Sequence, residues 1–363
     1  MDGTGLFLVG LPGLEEPLEA KARAAGFTGL RRVPGGVEAA GGLAEAARAN
    51  MTLRTAVRVL WRVAAFRAMH LAQLDKRARK LPWGDWLRAD VPVKVEAVCR
   101  ASRIYHHKAA AQRVAGAIAA AGIPVTDDAT LVVKARIEDD LCTLSLDTTG
   151  EALHRRGHKT FVGKAPLRET MAAAFLWRMG FDGSQTVVDP MCGSGTIPIE
   201  AAEIAAGLWP GRSRAFAFET LQGGETARPV PPAPVLPPEG PPRFFGFDRD
   251  QGAIQGARGN AERAGIGALC RFERQAISDL ARPDGPPGIV LVNPPYGARI
   301  GDRKLLFGLY GALGATLKEG FAGWRVGVVT SDGGLAKATG LPLAPGAPVA
   351  HGGLKVTLWQ GTL

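Results

Sequence analysis

The chain reads as α/β, with a Rossmann-like parallel-sheet domain in its C-terminal half and smaller α+β structure before it. Three observations predict this. After residue 165, apolar strand segments (TVVDP, FFGFD, GIVLVNPP, RVGVVTS) alternate with helical segments (TIPIEAAEIAAG, AIQGARGNAERAG, LYGALGATLKEG). Such alternation builds a parallel sheet with helices on both faces. Two of these strands end in an aspartate, and one of them runs into a glycine turn and then a helix. Before residue 150 the pattern changes to short strands, amphipathic helices and hairpin turns.

The N-terminal elements follow in order. LFLVG (6–10) is a strand, Leu14 to Ala25 a helix, and a strand pair turns at Pro34-Gly35-Gly36. Residues 42–80 read mainly as helix, because Arg54, Arg58 and Arg62 recur at i, i+4, i+8 with Val57, Leu60 and Val63 largely on the other faces. VPVKVEAVC (91–99) alternates as a strand, and residues 102–122 carry a helix stopped by Gly122 and Pro124. TLVVKARI and LCTLSLDT flank a turn at Glu138-Asp139-Asp140, the signature of a hairpin. LHRRGHKTFVGK (153–164) is a basic connector, and APLRETMAAAFLWRM (165–179) a helix with proline in its first turn. The segment 224–242 is proline-rich and reads as an extended surface loop, and LPLAP and LKVTLWQ as terminal antiparallel edge strands.

Composition narrows the function. The net charge is +10 with a pI near 9.8, which favours an anionic partner. Residues 51–110 hold 13 Lys/Arg against four acids, so almost the whole excess sits in one block. Four scattered cysteines without a CxxC pair argue against a zinc site and against a disulfide framework. With no long apolar run, a soluble cytoplasmic protein without metal is expected.

The chemistry-bearing residues lie at strand ends. Asp189, Pro190, Met191, Cys192, Gly193, Ser194, Gly195 and Thr196 join the first C-terminal strand to its helix. Glycines there allow close backbone approach, and no Walker or G-x-G-x-x-G pattern is present to hold a pyrophosphate. A carboxylate at that point suits a cofactor carrying an ammonium group, as S-adenosylmethionine does. Asp248, ending the next strand, is placed for ribose hydroxyls. Cys192 reads as a small packing residue.

Asn293, Pro294, Pro295 and Tyr296 end the fourth strand. An exocyclic base amine is a poor nucleophile because its lone pair is delocalised into the ring. The Asn293 amide oxygen and the Pro294 carbonyl could accept its two N–H groups, and the prolines stiffen the backbone that holds them. Tyr296 offers a ring for an extruded base. No cysteine in the tetrad could form a covalent adduct, which argues against ring-carbon methylation.

Together with GGVEAAG, RTAVRVLWRVAAF, LPWGDWL, SRIYHHKAAAQRVAGAI, LDTTGEALHRRGHK and APLRETMAAAFL, these motifs resemble the THUMP-domain 23S rRNA guanine-N2 methyltransferases over nearly the whole chain. The resemblance implies a ferredoxin-like domain at 1–48, an RNA-holding THUMP domain at 49–149 and a class I methyltransferase domain at 150–363. It also implies S-adenosylmethionine at Asp189–Thr196 and Asp248, catalysis at Asn293–Tyr296, and 23S rRNA as partner. Two departures stand out: Ala276 occupies the place of an adenine-binding Asp, with Asp279 three residues on, and no second methyltransferase domain follows. A tRNA guanine-N2 methyltransferase of the same architecture is the nearest alternative. A non-catalytic RNA-binding or ribosome-assembly factor is the alternative of another class.

Overall fold

A computed structural model describes residues 4–163, 166–233, 243–296 and 303–363. The chain forms two compact units. One comprises Met1–Gly10, Leu18–Leu153 and Arg214–Val230; the other comprises Leu11–Pro17, His154–Ser213 and Pro231–Leu363.

The first stretch of chain runs β1 (Gly5–Val9), α1 (Glu15–Ala24), β2 (Arg31–Val33), β3 (Gly36–Ala39), α2 (Leu43–Thr52), β4 (Arg58–Arg67), α3 (Leu71–Ala78), β5 (Val93–Arg100), α4 (His107–Ala120), β6 (Leu131–Glu138) and β7 (Leu141–Asp147). A single sheet of order β2-β3-β1-β4-β7-β6-β5 runs through it. All neighbours are antiparallel except β5 and β6. The β6–β7 turn places both Asp139 and Asp140 at positive φ, the backbone that a two-residue hairpin with right-handed strand twist requires.

Residues 42–80 are not mainly helical. The helix α2 stops at Thr52, and Arg58–Arg67 is the strand β4, held between β1 and β7. The i, i+4, i+8 arginines fit a helix by spacing, but RVLWRVAAFR is also rich in β-branched and aromatic residues, and sheet pairing decides the outcome. Arg58 donates to Asp147 at 2.6 Å and Arg62 to Glu38 at 2.7 Å, while Arg54 is buried. These three are structural cations and form no free basic helix face.

The remaining elements are α5 (Glu169–Arg178), β8 (Val187–Asp189), α6 (Thr196–Ala205), α7 (Gly224–Ala227), β9 (Phe244–Asp248), α8 (Gln251–Arg263), β10 (Cys270–Arg274), β11 (Ile289–Val292), α9 (Arg303–Gly320), β12 (Arg325–Thr330), α10 (Gly333–Ala338), β13 (Ala344–Pro345), β14 (Val349–His351) and β15 (Leu354–Thr362). The second sheet has the order β10-β9-β8-β11-β12-β15-β13, with β14 also on β15. β10 through β12 are mutually parallel, and β15 is antiparallel to β12. β15 therefore lies inside the sheet, and of the two expected terminal edge strands β13 alone is an edge. The proline-rich segment begins with a short helix, α7, where an extended loop was expected: its first residues, GETA, precede the prolines and are free to coil. Residues 234–242 of that segment lie outside the described residues.

Strand order reverses between β8 and β11, which both descend directly into the centre of the sheet. Val187, Val188 and all four residues of β11 are fully buried. At such a switch point the loops leaving the two strands diverge and open a crevice beyond their carboxyl ends.

Candidate active site

That crevice is a cavity lined in part by Asp189, Cys192, Gly193, Ser194, Thr196 and Asn293. It thus brings together the glycine turn after β8 and the first residue after β11. Gly163, Pro166, Leu167, Met191 and Ile197 also line it. Pro190, Gly195, Asp248, Pro294, Pro295 and Tyr296 do not line it but support or flank it.

The turn is built by its two glycines. Gly193 has φ 51° and Gly195 φ 80°, the left-handed region that costs other residues about 1–2 kcal/mol. At Gly195 a Cβ would also press within 3.1 Å of Ala257 and the Phe272 ring. The Cys192 amide donates to Phe247 O at 2.8 Å, and the Gly193 amide donates to the Asp248 carboxylate at 3.0 Å. Both bonds tie the turn to the end of β9. The other Asp248 oxygen accepts from the Asp250 amide at 2.9 Å. Cys192 is buried, and its thiol is pushed well up by burial and by the charges of Asp189 and Asp248, in keeping with a packing role.

Asp189 is the electrostatic centre. It is 2% exposed and accepts one bond, from the Met191 amide at 3.1 Å. Burial, with the nearby negative charge of Asp248, raises its carboxyl to about 8. Its folded pKa lies above the unfolded value near 4, so the folded protein holds a proton that the unfolded chain has lost. Stability from this group is present below pH ~4 and is lost as pH rises through about 8. Asp189→Asn should therefore flatten the decline in melting temperature between pH 5 and 8. An unchanged pH profile in that variant would show that the group is not protonated in the folded state.

Two residues that sequence reasoning passed over hold the turn in place. Asn260 of α8 is fully buried; its amide nitrogen donates to Ser194 O and Phe161 O, both at 3.0 Å. Its oxygen accepts from the amides of Thr160 and Phe161 at 3.2 and 3.3 Å. Lys159 donates to Thr196 Oγ1 at 2.7 Å and to Glu169 at 2.8 Å. The signal available in the sequence was an Asn on the buried face of α8, among Ala253, Ile254, Ala257 and Ala261.

Asn293 is half-buried immediately after β11. The Tyr310 hydroxyl of α9 donates to Pro295 O at 3.3 Å and steadies the tetrad backbone. Tyr296 is only 7% exposed, and burial raises its hydroxyl to about 12. Its ring is a wall of the interior rather than an open platform. The GARIGD residues at 297–302 that follow lie outside the described residues. After β10, Ala276 precedes a short turn in which Asp279 is exposed, and neither lines the cavity.

A class I methyltransferase architecture is defined by this switch-point cavity and sheet order, and comparison with known proteins agrees. Residues 156–348 match the family described as the RMKL-like methyltransferase domain, and residues 5–60 the RlmL ferredoxin-like domain. The chain belongs to the RMKL-like methyltransferase family. It is 37% identical to a ribosomal RNA large subunit methyltransferase K/L of Syntrophotalea carbinolica, over 94% of this chain and 51% of that one. A Synechocystis protein named as a candidate RNA methyltransferase is 30% identical over 86% of this chain and 84% of its own. The solved structure of SMU.472, a candidate methyltransferase in complex with SAH, superposes with a TM-score of 0.85 at 25% identity, covering 99% and 98% of the two chains. The chain spans about half the length of the K/L relatives it matches. Among the described residues no helix is long and apolar enough to cross a membrane, and no His, Cys, Asp or Glu cluster resembles a metal site.

Proposed function

We propose that the chain is an S-adenosylmethionine-dependent RNA methyltransferase acting on the exocyclic N2 amine of a guanine in 23S rRNA. The observation that carries this is one cavity in which the buried Asp189 and the glycine turn meet Asn293. The residues fit the cofactor chemically. A carboxylate driven to about 8 by burial and by a second carboxylate gains from a cation, and an ammonium group is one. Asp189 would hold the amino-acid end and Asp248 the ribose hydroxyls. When bound, S-adenosylmethionine supplies a methyl group on a sulfonium, ready for transfer to a nucleophile.

The rest falls to the chain. Asn293 Oδ1 and the Pro294 carbonyl accept the two N–H groups of the amine, favour its pyramidal form and free its lone pair. Asn293 has no useful basicity, so the proton released on transfer passes to water. We further propose the domain division 1–48 ferredoxin-like, 49–149 THUMP and 150–363 catalytic, with the first two contributing strands to one sheet.

Asp248→Ala is expected to weaken SAH binding by about 1–3 kcal/mol, because ribose hydroxyls lose their acceptor in a half-buried site. Calorimetric titration measures it, and unchanged affinity removes Asp248 from the cofactor site. The substrate is tested by deleting the gene and mapping N2-methylguanosine by mass spectrometry in purified 23S rRNA and bulk tRNA. Loss of one modified guanine from 23S rRNA supports the proposal. Loss from tRNA alone moves the assignment to a tRNA enzyme, and loss from neither overturns it.

A further inference from the structure

Much of the basic block at 51–110 is neutralised within the fold, and what remains is concentrated in one place. Arg58, Arg62, Arg79, Arg88, Lys94, Arg100 and Arg103 each lie within ion-pairing distance of an acid. Arg67, Lys76, Arg77, Lys80 and Lys108 are exposed, with no acidic partner among the described residues. All five sit on or beside α3 and α4, which pack against each other, α4 also lying on β5 and β6. The segments 67–80 and 100–113 together carry nine Lys and Arg and one acid, Asp75.

At one end of this layer lies an exposed aromatic. Tyr105 is 71% exposed, although the Ile104 beside it is buried at 4%. Its ring lies against His106, with centroids 4.1 Å apart and a tilt of 41°. The loop carrying it is fixed on several sides. The Arg103 amide donates to Asp140 at 2.8 Å, the Asp140 amide donates to Ser102 Oγ at 3.0 Å, and the Arg103 guanidinium lies 3.4 Å from Met69 Sδ. Arg67 donates to the Asp139 carbonyl at 3.3 Å, which joins the end of β4 to the same corner. Met69 and Leu141 there are each 42% exposed. A held aromatic pair, an apolar skirt and surplus cations, with Asp75 and Asp140 already facing Arg79 and Arg103, form a surface complementary to bases and phosphates together.

We propose that this α3–α4 corner is the landing site for an unpaired RNA segment, with a base stacked on Tyr105 and the backbone phosphates met by Arg67 and Lys108. The proposal rests on the reading of an RNA substrate and adds where, and in what form, that RNA is held. An unpaired segment is specified because a duplex hides the faces of its bases. Phosphate contacts supply affinity without reading sequence, so the corner would grip RNA without selecting the nucleotide to be modified.

The test uses the full chain and two fluorescently labelled RNAs, a short unstructured oligoribonucleotide and a perfect duplex, followed by anisotropy across a salt series. Tyr105→Ala should weaken single-strand binding roughly tenfold and leave duplex binding and the salt slope unchanged. Tyr105→Phe should restore it, because stacking needs the ring and not the hydroxyl. Lys108→Ala should weaken both RNAs and lower the salt slope by about one phosphate contact. Equal affinity of wild type and Tyr105→Ala for the single strand overturns this proposal while leaving the RNA substrate standing. Equal loss on both RNAs overturns the stacking role. Failure of the wild type to bind either RNA overturns the substrate reading itself, and this one with it.

Discussion

Asn293→Ala is expected to bind SAH as the wild type does and to lose roughly 10²–10³ in turnover, the usual cost of removing one preorganised polar group from a reacting centre. The expectation follows from where the side chain is held. β11 is fully buried along its length and pairs in parallel with β8 on one side and β12 on the other, so the residue that follows it has little freedom. Two prolines come next, and Tyr310 fixes the second through its carbonyl. Alanine keeps that backbone and deletes only the amide, so the Pro294 carbonyl remains as a lone acceptor for an amine with two N–H groups. Single-turnover methylation of an RNA substrate isolates the chemical step from product release, and calorimetry with SAH reports cofactor binding separately. A variant with full single-turnover rate would show that Asn293 does not orient the amine. A variant that fails to bind SAH would instead make Asn293 part of the cofactor wall of the cavity.

The parts of the site that could be read in the sequence are those where a local rule leaves one solution. A turn that enters a helix through positive φ at two positions needs glycine, so Gly193 and Gly195 announced themselves. Asp189 and Asp248 could be placed because a strand that alternates with helices ends at the open rim of a parallel sheet. What escaped depended on chain segments far apart. β4 contains apolar residues that satisfy a helical period and a strand period equally, and only β1 and β7 on its two sides decide between them. Asn260 bonds partners 66 to 100 positions away, and Lys159 reaches Thr196 across 37. Gly246 gives no local sign of its role, yet a Cβ there would lie 2.5 Å from Phe272 and 3.0 Å from Cys192 Sγ, so it makes room for the floor of the turn. The burial of Tyr296 was likewise invisible, since an aromatic after two prolines reads as exposed until the packing around it is known.

Arg156→Ala is expected to lower stability by about 3–5 kcal/mol, the usual cost of breaking a buried ion pair by removing one member. Arg156 and Glu200 are each 1% exposed and meet through Nε–Oε1 at 2.9 Å and Nη2–Oε2 at 3.4 Å. One turn along α6, the fully buried Glu203 accepts from Arg212 at 2.6 Å and lies 3.7 Å from His158. Two carboxylates thus enter the interior on one face of the helix that begins at the glycine turn. Cations from the connector and from Arg212 make that burial tolerable. Alanine at 156 removes the guanidinium that meets both carboxylate oxygens of Glu200, so the helix must shift, admit water or take up a proton. The double variant Arg156→Met with Glu200→Leu removes both charges at similar volume and is expected to recover most of the loss, because desolvating an ion pair costs nearly what the pair returns. Urea denaturation of the wild type, the single and the double variant decides the matter through their midpoints. If the single variant is as stable as the wild type, the pair carries no weight. If the double is as unstable as the single, the arginine acts by filling space rather than by charge, and the fit of the connector over α6 rather than its electrostatics positions Thr196 at the cavity.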